Sequence, residues 1–365
     1  MYTAARELRR PVSRLIDFSA SINPLGPSPR VLKALGQLRT ALVHYPDADC
    51  VDLRCLLAAR WHCSIDQLVV GNGSNELIHL LPLALRIRHA WIIGPTFGEY
   101  AAALTAAGAR TTCINATSAQ RFQPPLALLR RELRETSRSR RPDAIVICNP
   151  NSPTGQSVSR EALLQVARLA ARAGIWCIVD EAFADYCEAI SLLNVRSPIE
   201  RRTAWPVTTV VLRSLTKFHA LPGLRVGYVI ASPTVCARIR AQQVTWSVNA
   251  VAQQAALAAL GDRAHARRSL DVMSRWRKRM AAALNAIPGC TVFPSTANFL
   301  WMELPETVDV RRVIAELRTK GLLVRDGTGF GPDCERCIRV AVKKPADQDR
   351  LLTHLRRALK TQATG

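Results

Sequence analysis

The sequence predicts an α/β fold: a mostly parallel central sheet sandwiched by helices, joined to a smaller α+β unit. Three observations carry that prediction. Short, unbroken apolar runs alternate with longer segments of helical spacing, the pattern of strands buried on both faces of a parallel sheet. Two of the helical segments end on glycine, at Gly108 and Gly174, as helix C-termini commonly do. After about residue 260 the texture changes to basic helical stretches between short strand-like runs.

Taken in order, "QLVVG" (67–71) is a short buried strand, followed by a helix in "SNELIHLLPLAL". "HAWIIGP" (89–95) is the next strand, and "FGEYAAALTAAG" the next helix. "PDAIVICNP" (142–150) is a strand, and "SREALLQVARLAARAG" (159–174) an amphipathic helix. "IWCIVDEAF" (175–183) and "PVTTVVLRSL" (206–215) are two further strands. A long basic helix over 263–287 leads to strand character in "CTVFPSTANFLWMEL". A helix in "DVRRVIAELRTKG", a strand in "CIRVAV" and a terminal helix in "QDRLLTHLRRALK" complete the chain. The expected division is an N-terminal segment, 1–44, that contributes to the small domain; a large ligand-binding domain, 45–260; and a C-terminal small domain, 261–365. In such sheets ligands bind at the carboxyl ends of the strands.

Charge narrows the function classes. The formal net charge is +22 over 365 residues, and only seven of the 50 basic residues are lysines. The arginines are spread along the chain, with clusters at 130–141 and 268–279. A nucleic-acid binder would more often concentrate them in one arm or module, so neither nucleic acid nor membrane is an expected partner. The excess does favour anionic small molecules. The 11 cysteines sit mostly in apolar runs, where they read as small core residues of a cytoplasmic protein. "CERC" (334–337) has no second pair at ligand spacing, so no metal is expected.

Four predicted strand ends carry polar clusters: "GNGSNE" (71–76), "NPNSPTG" (149–155), "VDEAF" (179–183) and "SLTK" (214–217). The glycines of the first let backbone approach an anion at a helix N-terminus, although an ordinary tight turn accounts for it equally well alone. Asp180 and Glu181, at the end of a buried strand, need partners; a helix cap is the alternative reading. Together the clusters form an inventory: an anion loop with Arg225, a carboxylate for a protonated ring nitrogen, and a lysine able to form a Schiff base. Pyridoxal phosphate requires that set. Lys217 has the cation-flanked context that favours a neutral, nucleophilic amine.

"SLTKFHALPGLRVGY", "NPNSPTG", "VDEAF", "GNGSNE" and "YPD" resemble the fold-type I pyridoxal-phosphate enzymes of aminotransferase class I/II, in order and over nearly the whole chain, from about residue 15 to 355. Within that family, "LIDFSASINPLGPSPRVLKAL" and "HYPDADCVDLRCLLAARW" most resemble the branch that decarboxylates L-threonine O-3-phosphate to (R)-1-aminopropan-2-yl phosphate for cobalamin. The branch that transaminates histidinol phosphate is the close relative. The resemblance implies that Lys217 holds the cofactor and later moves a proton, and that Asp180 pairs with the ring nitrogen. Gly73, Ser74, Asn75, Ser214 and Arg225 would bind the cofactor phosphate. Phe97 would stack on the ring, and Asn151 would reach its phenolic oxygen, with Ser152 as the other candidate. Asn23 would line the substrate pocket, and Arg339 would clamp the substrate carboxylate. Tyr45 would reach the cofactor phosphate of a second copy, so a homodimer with shared sites is implied. Phe183 stands where the transaminating relatives usually carry a tyrosine, which favours decarboxylation.

Overall fold

The computed structural model describes residues 1–38, 42–137, 140–195 and 206–363. Arg138 and Ser139 of the basic cluster lie outside the described residues. The first part of the chain runs α1 (Tyr2–Glu7), β1 (Ile16–Asp17), α2 (Pro29–Leu35), α3 (Val51–Trp61), β2 (Leu68–Gly71), α4 (Gly73–Ala84), β3 (His89–Gly94), α5 (Glu99–Ala106) and β4 (Arg110–Asn115). It continues through α6 (Leu126–Glu135), β5 (Ala144–Cys148), α7 (Arg160–Arg172), β6 (Trp176–Asp180), β7 (Thr209–Ser214), β8 (Gly227–Ile230), α8 (Pro233–Arg240) and α9 (Ala250–Gly261). The last part comprises α10 (Arg263–Asn285), β9 (Thr291–Val292), β10 (Phe299–Glu303), α11 (Val310–Thr319), β11 (Leu322–Leu323), β12 (Arg325–Asp326), β13 (Cys337–Ala341) and α12 (Pro345–Ala363).

The central sheet has the order β2-β8-β7-β6-β5-β3-β4. It is an α/β sheet of the expected class. Strand β8 is antiparallel to both of its neighbours, and all other pairings are parallel. Passing through β8 reverses direction twice, so β2 runs the same way as β7, β6, β5 and β3. The carboxyl ends of β2, β5, β6 and β7 therefore share one edge, and all four polar clusters meet there. Alternate residues of these strands feed two cores. Val70, Ile147, Val179 and Val211 pack on one face, and Val69, Val146, Ile178 and Leu212 on the other. With both faces covered, period-two alternation gives no polar positions, which is why the runs read as continuously apolar.

A four-stranded sheet, β12-β13-β10-β9, packs α10, α11 and α12 around a core of Phe299, Leu300, Val313, Leu317, Leu351 and Leu355. The chain's start joins this part: β1 pairs in parallel with β11, and Ala341 donates its N–H to Phe18 O at 2.8 Å. Strands β4 and β8 escaped the sequence reading. The first is an edge strand with mostly exposed or half-buried residues, "RTTCIN", so it lacks an apolar run. The second lies within "GLRVGYVI", where the motif residues masked it.

Candidate active site

At the shared sheet edge lies a cavity of about 370 Å³, with Lys217, Asp180, Arg225, Arg339, Phe97 and Ser74 in its wall. Asp180 comes from β6, Ser74 from α4, Arg339 from β13 and Phe97 from the β3–α5 loop, while Lys217 and Arg225 share the β7–β8 connection. Asp180 is the last residue of β6 and faces the cavity. The next residue, Glu181, points the other way, into a fully buried ion triad. Its carboxylate pairs with Arg213 at 3.1 Å, and Arg213 pairs with Asp185 at 2.9 Å. Glu181 also accepts from the Ser191 hydroxyl and from Leu192 N–H. The two adjacent carboxylates thus divide: one is spent in an ion network, the other is offered to the cavity.

Asp180 Oδ2 accepts from the Tyr100 hydroxyl at 2.7 Å, and Oδ1 from Ala182 N–H at 2.8 Å. Burial pushes its pKa up; the Tyr100 and Ala182 donors, Lys217 and Arg213 act against that rise. A protonated ring nitrogen beside it would favour the anion further. Lys217 follows β7. Burial lowers its pKa first, and the Arg339 and Arg225 cations add to the effect, with Asp180 opposing. More of its amine is therefore neutral at neutral pH than for a surface lysine.

Arg225 holds a left-handed backbone, φ +57°, a conformation that costs a residue with a Cβ about 1 kcal/mol or more. Gly73, the first residue of α4, has φ +76°. A Cβ there would lie 2.5 Å from the Arg225 guanidinium. Only glycine lets that cation close over the helix N-terminus, where the N–H groups of the first turn are unpaired. Beside it, Gly227 faces Ser74 N at a distance, 2.5 Å from a would-be Cβ, that likewise excludes a side chain. Asn75 lines the cavity, and its Oδ1 is buried without a partner. The cation and the helix N-terminus supply the donors that suit a phosphate, whereas the free Asn75 Oδ1 is an acceptor and calls for a donor.

Arg339, on β13, reaches the same cavity from the four-stranded sheet. Its guanidinium donates to Ser152 Oγ at 2.8 Å and Ser19 O at 2.7 Å. The guanidinium also lies 5.0 Å from the Phe299 ring centroid. Its Nε is buried without a partner. Among the described residues no carboxylate pairs with it, and burial with the nearby Arg325 pushes its pKa down to about 10. A buried cation left without an acid is a receptor for an external anion.

The remaining sequence expectations divide. Phe97 lies in the wall, its ring edge-on to Tyr100 at 5.7 Å. Phe183 also lies in the wall. Asn151 does not: its carbonyl accepts from Thr96 Oγ1, and its amide donates to Pro95 O and Thr154 Oγ1. The structure instead puts Ser152 in the cavity. Asn23 also misses the wall. Its amide is spent on Phe218 O and Ser269 Oγ, and its N–H on Lys217 O, so it braces the lysine segment while Ser19, Ala20 and Ser21 form the wall. The Ser214 hydroxyl bonds Thr216 Oγ1 at 2.7 Å, and Thr216 is the one that lines the cavity. Tyr45 lies outside this cavity, 78% exposed and stacked on Trp246 at 4.3 Å. Cys334 and Cys337 are buried in an aromatic cluster, and no group of three or more possible metal ligands exists among the described residues.

Ser152 was the other candidate beside Asn151, and it is the one in the wall; Tyr100, Thr216 and the Ser19–Ser21 segment went unnoticed as site residues. Tyr100 had a readable signal: it lies three residues after Phe97, one turn on at the start of a helix.

Comparison with known proteins agrees with this geometry. Residues 13–355 match the family described as aminotransferase class I and II. A threonine-phosphate decarboxylase of Salmonella typhimurium is 34% identical over 348 residues, 95% of this chain and 92% of that protein. A histidinol-phosphate aminotransferase of Moorella thermoacetica is 31% identical over 350 residues, covering 95% and 86%. The crystal structure of the histidinol-phosphate aminotransferase from Clostridium acetobutylicum superposes with a TM-score of 0.84 at 25% identity, covering 95% of this chain and all of that one.

Proposed function

The chain belongs to the aminotransferase class I and II family of pyridoxal-phosphate enzymes, and we propose that within it the protein decarboxylates L-threonine O-3-phosphate to (R)-1-aminopropan-2-yl phosphate, a building block of cobalamin. The observation that carries the reading is Arg339, a largely buried guanidinium that pairs with no carboxylate among the described residues, in the wall of the cavity that holds Lys217 and Asp180. It asks for a substrate with an anionic group, and a phosphorylated amino acid supplies two.

The residues fit the cofactor. Gly73, Ser74, Asn75 and Arg225 would hold its phosphate, Asp180 its ring nitrogen, Phe97 one ring face, and Lys217 its carbonyl carbon. When bound, pyridoxal phosphate supplies an electron sink for the pair left on the substrate's α-carbon. Arg339 fixes the substrate's anion through paired N–H donors. The bond from Cα to the carboxylate breaks, CO₂ leaves, and the Lys217 ammonium returns a proton to Cα. Phe183, in the cavity wall and backed edge-on by the buried Phe299 ring, would present an apolar surface toward that carbon. Phe183 offers no hydroxyl near the ring oxygen, which supports decarboxylation over transamination.

Transamination of histidinol phosphate is the second reading, favoured by relatives of nearly equal identity. Both reactions need the same residues; they differ in which Cα bond is held perpendicular to the ring. Tyr45, exposed and outside its own cavity, would reach the cofactor phosphate of a second copy, so the working unit proposed is a homodimer. The deciding experiment gives the purified, cofactor-loaded enzyme L-threonine O-3-phosphate and follows CO₂ release. Histidinol phosphate with 2-oxoglutarate is the parallel arm. CO₂ release without need for an oxo acid supports the proposal; amino transfer alone overturns it.

A further inference from the structure

We propose that Tyr100 is a positioning residue that sets both the orientation of the Asp180 carboxylate and the placement of the Phe97 ring wall. The proposal rests on the reading of Asp180 as the partner of the cofactor's ring nitrogen. The geometry is specific. Tyr100 enters from the first turn of α5, is 3% exposed, and spends its hydroxyl on Asp180 Oδ2 at 2.7 Å. Ala182 N–H occupies Oδ1 at 2.8 Å. With one donor on each oxygen the carboxylate plane is fixed, and each oxygen keeps a second acceptor site for a donor in the cavity. The Tyr100 ring meets the Phe97 ring edge-on at 84° and 5.7 Å, a favoured aromatic arrangement. One side chain therefore ties the wall that would face the ring to the acid that would hold its nitrogen.

The charge environment of Asp180 explains why a donor is needed there. It stands at the end of β6, level with Cys148 on β5 and Leu212 on β7. Among the charged groups acting on it, Lys217 and Arg213 favour the anion. Cys148, whose thiol burial and Asp180 push up to about 12, stays neutral and adds no charge. The ion triad takes up Arg213 with Glu181 and Asp185, so its field at Asp180 is largely spent. Burial presses the carboxyl toward its neutral form, and the Tyr100 hydroxyl is first among the interactions that oppose it. Loss of that donor removes support from the charged form only, so the carboxyl must titrate at higher pH.

The test separates the hydroxyl from the ring. Tyr100→Phe keeps the contact with Phe97 and deletes the donor. The first readout needs no cofactor: ¹³C-aspartate titration of the apoprotein, with Asp180 assigned by Asp180→Asn. The midpoint should rise by about one pH unit or more in Tyr100→Phe, as expected for loss of one hydrogen bond to a charged group. The second readout is pyridoxal phosphate affinity, which should fall about tenfold for the same reason. An unchanged Asp180 midpoint with a normal melting temperature overturns the proposal. If the midpoint moves but Asp180→Asn binds pyridoxal phosphate as the wild type does, the hydrogen bond is real and the cofactor reading of Asp180 fails, and the positioning role fails with it. Should Tyr100→Phe not fold, 3-fluorotyrosine incorporated at position 100 provides the complementary test. Its more acidic phenol is a stronger donor and should lower the midpoint; no downward shift overturns the proposal.

Discussion

Replacing Arg339 by methionine should separate function from stability, in opposite directions. In most buried positions the loss of a large hydrogen-bonded side chain destabilises a protein by a few kcal/mol. Arg339 differs because its charge is held at a cost. Burial, with the nearby Arg325 and against Asp17, lowers its pKa to about 10, which at about 1.4 kcal/mol per unit corresponds to roughly 3 kcal/mol against the charged form. The sign follows: a base with a lowered folded pKa destabilises the fold at every pH below that pKa, and the penalty fades only as pH rises above about 10 toward the ordinary arginine range. Against this, the wild type gains two hydrogen bonds from a charged donor, to Ser152 Oγ and Ser19 O, at about 1.5–3 kcal/mol each. It also gains about 0.5–2 kcal/mol from its contact with Phe299. At the low end of these ranges, the end expected for neutral acceptors, the opposing contributions nearly cancel, and methionine fills much of the same volume. Arg339→Met should therefore melt within about two degrees of the wild type, or above it. Substrate binding has no such compensation. Losing two charge-assisted bonds to the substrate's anion, about 1.5–3 kcal/mol each, should lower kcat/KM for threonine phosphate at least about 100-fold, at 1.4 kcal/mol per decade. Calorimetry and initial-rate measurements on the same preparation check both halves. A variant that melts many degrees lower, or that keeps normal kcat/KM, would show that Arg339 is an architectural cation and not an anion receptor.

Four further outcomes follow from the same site. Lys217→Ala should abolish turnover, and borohydride treatment of the loaded wild type should fix the pyridoxyl label on Lys217, located by peptide mass spectrometry; a label elsewhere names a different lysine. Because Lys217 has a pKa lowered by burial, its charge weakens the apoprotein below that pKa. Lys217→Met apoprotein should therefore melt above the wild type at neutral pH, with the gap closing as pH rises toward 10.5; a constant gap contradicts the assignment. Asp180→Ala should lose at least about two orders of magnitude in rate, given a few kcal/mol for an ion pair in a dry site; near-native rates would mean another carboxylate serves. Mixing inactive Lys217→Ala with a strongly impaired Tyr45→Ala should restore activity as subunits exchange, since one site per mixed dimer is then intact; exchange confirmed by mass spectrometry with no recovery would place Tyr45 outside any shared site.

How legible the protein was depends on what each signal encodes. The sequence by itself determined the parallel sheet, because strands buried on both faces must be apolar throughout. It determined the polar strand ends, because buried strands cannot carry such residues along their length. It also pointed to Lys217, Asp180 and Arg225 as candidates, since few residue types can supply those chemistries, and all three line one cavity. Tertiary structure alone decided which neighbour in each polar turn faces the cavity. Asn151 and Ser152 are adjacent, as are Asp180 and Glu181, and a one-residue difference reverses the direction of a side chain on an extended backbone. Asn151 and Asn23 carry amides suited to a ligand, yet the fold spends them on its own carbonyls and hydroxyls. The hydrogen bonds that hold the cavity's side chains, Tyr100 with Asp180 and Arg339 with Ser19 and Ser152, span 80 to 320 residues of chain. No local periodicity encodes such separations; they exist only once packing has closed the loops between them.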